Sequence, residues 1–265
     1  MTASRSYLFV PGNRPERFAK ACASGAHAVI VDLEDAVPAA QKAAARAAIA
    51  DWLSPERPVL VRVNAVDTEW FADDAAMCRH PGVAGVVLPK TETPDHLAAL
   101  AARAGAKIPA LPLIETAAGL WGALAIAKAR GVARLIFGSI DFQVDVGVRG
   151  DDQLDFHRAQ LVLVSRVGGI DAPVDGVSEA IDDVDALARD VARARRQGFG
   201  GKLCIHPKQV AAVNEGFRPT TAEVDWAKRV VAADAEAKGA AVAVDGKMVD
   251  RPVMLKARAI LAEAS

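Results

Sequence analysis

Apolar runs that end on charged side chains are the feature of this sequence that points most directly to chemistry. Five such runs occur, at residues 29–35, 59–64, 86–90, 111–115 and 135–141. Short apolar runs separated by helix-length segments predict buried parallel strands. The carboxyl ends of the strands in an α/β barrel share one rim, where such barrels carry their catalytic residues. Acids and an arginine converging there indicate a metal-dependent enzyme with an anionic substrate.

Two acids, Glu115 and Asp141, follow consecutive predicted strands, so a barrel would place them side by side. Two carboxylates, together with waters and a bidentate anionic substrate, suit Mg²⁺, which accepts few protein oxygens and retains several waters. No histidine or cysteine set has the spacing of a zinc site. The competing interpretations are a helix-start carboxylate for Glu115 and a helix N-cap for Asp141.

Arg62 ends the third predicted strand, where a buried and unpaired guanidinium would be costly. Its planar fork suits a substrate carboxylate. The alternative is a buried ion pair with Glu34 or Asp35, and both interpretations can hold together. We interpret Glu34 and Asp35 as supports of the site or water-mediated metal contacts, with helix capping as a rival. Lys90 is a further supporting candidate, unless it forms only a rim ion pair with Glu92.

Strands and helices alternate along most of the chain. Predicted strands lie at residues 7–11, 29–33, 59–63, 85–88, 110–114, 134–137, within 172–177, and at 201–205. Helices are predicted at 15–23, 39–53, 69–79, 93–104, 117–129, 154–167 and 184–196. Eight alternations favour a (β/α)8 TIM barrel over an open doubly wound sheet. The first turn, at residues 11–14, lacks the glycine pattern of dinucleotide binding.

The pattern changes after the eighth strand. A capping box at Thr220 and Glu223 predicts a helix to about Lys238, and Asp245-Gly246 predicts a hairpin within residues 241–249. A last helix is predicted at 252–264. We therefore expect a barrel domain over residues 1–218 and a helix–hairpin–helix extension over 219–265. The extension is too short for a core of its own, so we expect it on the barrel rim or at a subunit interface.

Bulk properties exclude some partners. The chain has 265 residues and a net charge of −1, which provides no field for nucleic acid or membrane attraction. Three scattered cysteines predict reduced thiols in a reducing compartment. No signal-peptide core or bilayer-spanning run is found, so we expect a cytoplasmic protein.

Eight motifs resemble a known family. They are SYLFVPGNRP at 6–15, VDLEDAV at 31–37, RVN at 62–64, LPKTE at 88–92, IET at 114–116, GSIDF at 138–142, GFGGK with IHP at 198–207, and DGKMVD at 245–250. In this order they are similar to the citrate lyase beta subunit-like proteins of the HpcH/HpaI aldolase family. One motif would be weak, whereas eight collinear motifs along nearly the whole chain are a strong signal.

The resemblance implies a TIM barrel of the pyruvate/phosphoenolpyruvate superfamily that assembles as a homotrimer or hexamer. It implies that Glu115 and Asp141 bind Mg²⁺, with Glu115 also near the substrate, and that Arg62 contacts substrate oxygens. In related malyl- and citramalyl-CoA lyases, an aspartate in a segment like that around Asp250 enters the neighbouring subunit's site as an acid/base group.

The expected activity is reversible carbon–carbon cleavage of a 3-hydroxy-3-carboxyacyl thioester such as citramalyl-CoA, malyl-CoA or citryl-CoA, giving a 2-oxo acid and acetyl-CoA. Arg62 and backbone N–H groups around Gly138 and Ser139 would stabilise oxyanions. The alternatives are a citrate lyase beta subunit acting on an acyl-carrier-protein thioester, and a malate synthase or thioesterase. A non-catalytic binding subunit is disfavoured, because a site without catalytic function has no reason to keep a costly set of charged residues, namely Arg62, Glu115, Asp141 and Asp250.

Overall fold

Eight parallel strands, paired in their order along the chain, close into a barrel. The structure is a computed structural model and describes residues 4–237 and 242–264. The barrel strands are β1 (Ser6–Pro11), β2 (Ala28–Asp32), β3 (Val59–Arg62), β4 (Val83–Leu88), β5 (Ala110–Ile114), β6 (Arg134–Phe137), β7 (Asp171–Asp175) and β8 (Gly201–Cys204). The predicted TIM barrel is confirmed, and its seventh strand begins one residue before the predicted window.

Helices follow the strands and cover the barrel. They are α1 (Phe18–Cys22), α2 (Lys42–Trp52), α3 (Phe71–Met77), α4 (Pro94–Ala104), α5 (Ala117–Ala127), α6 (Ser139–Val146), α7 (Asp155–Gly168), α8 (Val184–Gln197) and α9 (Val210–Gly216). Short 3-10 turns lie at Pro15–Arg17, Ala39–Gln41, Asp151–Leu154 and Pro207–Gln209. Helices α6 and α9 were not predicted, because each is short and lies close behind a strand end.

The barrel interior is filled by every second residue of its strands. The buried cluster consists of Tyr7, Ile30, Leu60, Val87, Leu111, Leu113, Ile136, Val174 and Leu203. Side chains two positions apart on a strand share a face. The residues two positions beyond Ile30, Leu60, Leu113 and Ile136 therefore form the next layer toward the carboxyl-end rim. That layer contains Asp32, Arg62, Glu115 and Gly138.

The opposite face of β7 and β8 carries a buried charge network beneath the helices. Asp175 accepts from Arg158 Nε on α7 at 2.8 Å and from Lys202 Nζ on β8 at 2.9 Å. Arg158 and Lys202 are at most 1% exposed, and Asp175 is fully buried. Lys202 Nζ also donates to Gly176 O at 2.7 Å. The network thus fixes the backbone where β7 ends.

A second compact unit begins at Glu215, after a first unit that ends at Asn214. It contains α10 (Thr221–Ala237), β9 (Val242–Val244), β10 (Lys247–Val249) and α11 (Arg251–Ala264). The predicted capping box is confirmed, since Glu223 N donates to Thr220 Oγ1 and Thr220 N to Glu223 Oε2. The end predicted for this helix, Lys238, lies outside the described residues.

The hairpin prediction is also confirmed, with positive φ at both Asp245 and Gly246. The expectation that the extension lacks a core is wrong. Its buried cluster consists of Ala227, Val230, Met254, Ala257 and Ile260. Small alanines on α10 and α11 favour close approach of the two helices. The division into domains 1–218 and 219–265 stays a prediction.

No helix among the described residues combines the length and hydropathy needed to cross a membrane.

We expect Asp175→Ala to reduce the free energy of unfolding by about 3–5 kcal/mol, because it leaves Arg158 and Lys202 buried without their carboxylate. Chemical denaturation measures the change. Asp182→Ala is the matched control, because the ion pair of Asp182 with Lys208 lies in solvent and its loss leaves stability nearly unchanged. Equal effects of the two substitutions would contradict a stabilising network.

Candidate active site

A cavity of about 400 Å³ opens at the carboxyl ends of the barrel strands. Its polar lining includes Asp32, Asp35, Arg62, Glu115, Ser139 and Asp141. Apolar side chains, among them Phe9, Leu113 and Leu203, form its floor and walls. Most of the residues singled out from the sequence therefore meet in one place, as the convergence of parallel strand ends predicts.

Arg62 is held by Asp32, a residue that sequence reasoning did not single out. The two are register partners at the ends of β3 and β2. Arg62 Nε and Nη2 each donate to one Asp32 carboxylate oxygen at 2.6 Å. Side chains along β2 alternate between the barrel interior and the helices, and Ile30 faces the interior. Asp32, two residues later, therefore faces the interior too, and this alternation is the signal that could have identified it.

The loop after β2 supplies further partners for Arg62. Glu34 Oε2 lies 2.8 Å and Asp35 Oδ2 3.4 Å from Arg62 Nη1. The predicted pairing with Glu34 or Asp35 is thus confirmed, with Asp32 as a third partner. Burial alone would lower the pKa of Arg62, but Asp32, Glu34 and Asp35 raise it far above its ordinary value.

The geometry leaves part of the guanidinium available. A guanidinium has five N–H donors. Nε and one Nη2 hydrogen of Arg62 point to Asp32, and Nη1 faces Glu34 and Asp35. The guanidinium also lies over the Phe9 ring, 4.8 Å from its centroid. One Nη2 hydrogen is left by these contacts, and the exposed Asp35 is the partner that a ligand displaces most easily.

Glu115 follows β5 and is 2% exposed. Its Oε1 accepts from Lys90 N at 2.7 Å, and Lys90 adopts a φ of 48°, which is uncommon for a residue with a side chain. A Cβ on Gly138 would lie 2.5 Å from Glu115 Cβ, so only glycine fits there. The N-cap of α5 is Thr116, which accepts from Gly119 N, so Glu115 lies directly before the capping residue. The helix-start interpretation of Glu115 stays a prediction.

Electrostatics around Glu115 favour a bound cation. Burial and then the neighbouring charge of Glu34 raise the pKa of Glu115 to about 8, with Asp141 adding to the shift and the Lys90 N–H opposing it. Burial likewise raises the pKa of Glu34 to about 7, against the opposing effect of Arg62. Buried carboxylates that raise one another's pKa are stabilised by a divalent ion.

Asp141 lies in the first turn of α6, whose N-cap is Gly138. The N-cap interpretation of Asp141 is therefore wrong. The first N–H groups of a helix have no partner within it, so α6 directs the positive end of its dipole toward the cavity. Ser139 is buried, and Gly176 packs so closely on it that a Cβ there would collide with Ser139 Oγ.

Lys90 belongs to this cluster through Glu34 rather than Glu92. Its Nζ lies 3.7 Å from Glu34 Oε1. Glu92 instead accepts from Thr116 Oγ1 at 2.8 Å. The interpretation of Lys90 and Glu92 as a rim ion pair is wrong. Lys90 thus contributes a backbone donor to Glu115 and a positive charge near Glu34.

The donor set fits Mg²⁺. The candidate ligands Glu115 and Asp141 offer only carboxylate oxygens, which hard cations prefer. Within residues 4–237 and 242–264, no group of three or more histidine, cysteine, aspartate or glutamate side chains is arranged to enclose a metal ion.

Asp250 lies in the second compact unit. It is exposed, and its Oδ1 accepts from Val253 N at 3.1 Å, which caps α11. Its predicted role in a neighbouring subunit's site stays a prediction.

The family model for HpcH/HpaI aldolase/citrate lyase matches residues 5–207. A second model, for a carbon–carbon bond lyase of the TIM-barrel fold, matches residues 151–265. A citrate lyase subunit beta-like protein of Deinococcus radiodurans is 38% identical over 274 residues, covering 97% of this chain and 96% of the relative. A (3S)-malyl-CoA thioesterase of Cereibacter sphaeroides is 36% identical over 273 residues, covering 98% and 94%.

Solved structures agree with these relatives. The protein CitE of Mycobacterium tuberculosis, in complex with magnesium, acetoacetate and coenzyme A, matches with a TM-score of 0.88 and 36% identity. The match covers 100% of this chain and 99% of that one. The same protein is also known with magnesium and pyruvate, at a TM-score of 0.78 and 34% identity, covering 98% of each chain. With two family models, full-length relatives and the barrel in agreement, this chain belongs to the HpcH/HpaI aldolase/citrate lyase family of carbon–carbon lyases.

Proposed function

We propose that the protein is a Mg²⁺-dependent lyase that cleaves or forms the carbon–carbon bond of a 3-hydroxy-3-carboxyacyl thioester. Citramalyl-CoA, malyl-CoA and citryl-CoA are such substrates, and each yields a 2-oxo acid and acetyl-CoA. The observation that carries the proposal is the meeting of Arg62, Glu115 and Asp141 at one cavity. The magnesium, pyruvate, acetoacetate and coenzyme A bound by the Mycobacterium tuberculosis neighbour support it.

Glu115 and Asp141 would hold the Mg²⁺. When bound, the ion supplies Lewis-acid polarisation of the substrate hydroxyl and carboxylate oxygens. The high pKa of Glu115 supports this assignment, because a carboxylate that is poorly compensated in the protein alone gains most from a cation.

Arg62 donates its remaining Nη2 hydrogen to the substrate carboxylate or to the oxyanion that develops on cleavage. Asp32 holds the guanidinium plane, so little reorientation is needed during the reaction. The N–H groups of Gly138 and Ser139 are proposed as further oxyanion donors. Gly138 N is already bonded to Ile114 O at 2.9 Å, so Ser139 N, in the first turn of α6, is the better placed of the two.

Cleavage begins when the proposed acid/base group, Asp250 from a neighbouring subunit, takes the proton from the hydroxyl on C3. The C2–C3 bond then breaks, its electron pair passes to the thioester enolate, and C3 becomes the carbonyl carbon of the 2-oxo acid. A proton returned to the enolate carbon gives the acetyl thioester. Asp250 from a neighbouring subunit is the proposed donor, in a homotrimer or hexamer. Glu34, Asp35 and Lys90 support the charges around Arg62 and Glu115.

A second cavity supports a coenzyme A thioester as substrate. It has a volume of about 340 Å³, carries Arg17, Lys20 and His206, and shares Phe9 and Pro11 with the first cavity. Basic side chains beside a reaction cavity suit the phosphates of a nucleotide handle. A carrier-protein thioester remains the alternative. We expect neither nucleic acid nor a membrane as a partner, and a cytoplasmic location.

Thioester hydrolysis is the second candidate function, because (3S)-malyl-CoA thioesterases are among the similar relatives. In that case the oxygen of a water molecule bonds to the acyl carbon and the bond from that carbon to sulfur breaks. The products from malyl-CoA are the free dicarboxylic acid and coenzyme A.

The purified chain should release acetyl-CoA and a 2-oxo acid from at least one of the three CoA thioesters only with Mg²⁺. Product analysis separates this from hydrolysis, which gives free coenzyme A. Arg62→Ala should lower kcat about 100-fold or more, through the lost oxyanion donor. Turnover that persists in excess chelator, or no turnover of any CoA thioester, would count against the proposal.

Metal-free protein should lose stability as the pH rises from about 5 to about 8. The folded state keeps the Glu115 proton to a pKa of about 8, whereas the unfolded state loses it near the ordinary value of 4.5. The unfolded state then binds fewer protons, so the free energy of unfolding falls until both states are ionised. Glu115→Gln should flatten this decline.

Denaturation in EDTA across this pH range measures the effect, and Mg²⁺ should restore stability to the unmodified chain but not to Glu115→Gln. Glu69→Gln, which alters an exposed carboxylate, is the control. Parallel pH profiles for the unmodified chain and Glu115→Gln would contradict the buried-carboxylate account.

Chains carrying Arg62→Ala and chains carrying Asp250→Ala should each be inactive and should regain activity when refolded together. In an equal mixture, about a quarter of the interfaces would combine an intact Arg62 with an intact Asp250. The recovered rate is compared with that of the unmodified chain refolded in the same way. Mixed oligomers without recovery would show that Asp250 does not serve a neighbour.

A further inference from the structure

A buried lysine lies behind the loop that follows β2, outside the proposed machinery. Lys42 is the first residue of α2, and its side chain does not line the cavity. Its Nζ donates to Leu33 O at 2.8 Å, to Glu34 O at 2.7 Å and to Asn64 Oδ1 at 2.6 Å. An ammonium group has three donors, so these three contacts use all of them.

All three acceptors are uncharged oxygens. Lys42 is only 6% exposed, and burial lowers its pKa below the ordinary value despite nearby acids. Burying an ammonium is costly when the charge is not neutralised by direct pairing. The three contacts instead fix the local geometry, because one ammonium group holds the carbonyls of Leu33 and Glu34 and the side-chain amide of Asn64.

The loop fixed in this way carries Glu34. The Glu34 N–H donates to Asp32 Oδ1 at 2.9 Å, and the Glu34 carbonyl accepts from Lys42 Nζ and from Val37 N. Hydrogen bonds therefore fix both the N–H and the carbonyl group of Glu34. The carboxylate of Glu34 reaches Arg62 from this fixed backbone.

The lysine is itself anchored to the helical layer. Asn64 donates from N and Nδ2 to Asp74 Oδ2 on α3, at 3.1 and 2.6 Å. Asp74 Oδ1 accepts from Arg46 Nη1 at 2.8 Å. Lys42 Nζ also lies 5.1 Å from the centroid of the Trp70 ring. A continuous set of contacts therefore connects α2 and α3 to the loop at the cavity.

We propose that Lys42 is a positioning residue that acts on the metal and anion site through Glu34. Lys42 holds the Leu33–Glu34 backbone, and this backbone sets the Glu34 carboxylate, which faces Arg62. The same carboxylate lies 3.7 Å from Lys90 Nζ, and Lys90 N donates to Glu115. This role rests on the proposed function, since it assumes that the Glu115 site binds Mg²⁺.

A double-mutant cycle on Mg²⁺ affinity tests the role without any need for turnover. The four chains are the unmodified protein, Lys42→Met, Glu34→Gln and the double variant, and calorimetry gives the dissociation constant of Mg²⁺ for each. Lys42→Met should weaken binding about tenfold when Glu34 is present, but less than about twofold in the Glu34→Gln background. Equal weakening in both backgrounds would show a general structural role and overturn the proposal.

Lys107→Met, which replaces an exposed lysine, is the matched control and should leave affinity and turnover unchanged. If Lys42→Met does not fold, Lys42→Arg, which keeps the charge but alters the donor geometry, enters the same cycle with the same criterion. Mg²⁺ binding with an additive cycle overturns only the role of Lys42. If the protein binds Mg²⁺ but cleaves no thioester, the proposed activity is overturned, while the double-mutant cycle still tests the role of Lys42. If the protein does not bind Mg²⁺, both the metal site and the role of Lys42 are overturned.

Discussion

The paired contact between Asp32 and Arg62 is the constraint on which the rest of the site depends. Both residues face inward at the ends of neighbouring strands, and they are register partners, so their separation is set by the barrel itself. The same aspartate accepts from the backbone N–H groups of Glu34 and Ala36. One buried carboxylate therefore orients the guanidinium and folds the loop that supplies its other partners. A one-residue change of register would separate all of these contacts.

Charge is distributed differently on the two sides of the barrel wall. On the outer side, the ammonium groups of Lys42 and Lys202 donate to carbonyls, an amide or a carboxylate, and they fix the backbone behind strand ends. On the inner side, burial raises the pKa values of Glu115 and Glu34, and the neighbouring acids add to both shifts. The outer cations are paired within the protein, whereas the inner acids are only partly balanced by Arg62 and Lys90. The contrast distinguishes Lys42 and Lys202, which fix the backbone, from Glu34 and Glu115, which face the cavity side of the barrel.

Much of the fold was accessible from the sequence because buried parallel strands are short apolar runs with a clear helical spacing between them. Glu115, Asp141 and Arg62 were accessible because charged residues stand out at the ends of such runs. Asp32 was not singled out, because two further acids follow it and only the alternation of β2 distinguishes them. Helix α6 was missed because it is short and begins two residues after the end of β6. The small core of the C-terminal unit was missed because it depends on how two helices pack, which the periodicity of either one does not specify.

Closure of the barrel has a consequence for how the protein is made. β1 near the start of the chain pairs with β8 at residues 202–204. During synthesis, the edge of β1 that pairs with β8 therefore stays unpaired until almost the entire barrel sequence has left the ribosome. An unpaired apolar edge is a template for association with other chains. Expression at high rates should thus favour aggregates of incomplete chains, and co-translational chaperoning should matter more to yield than the stability of the finished barrel.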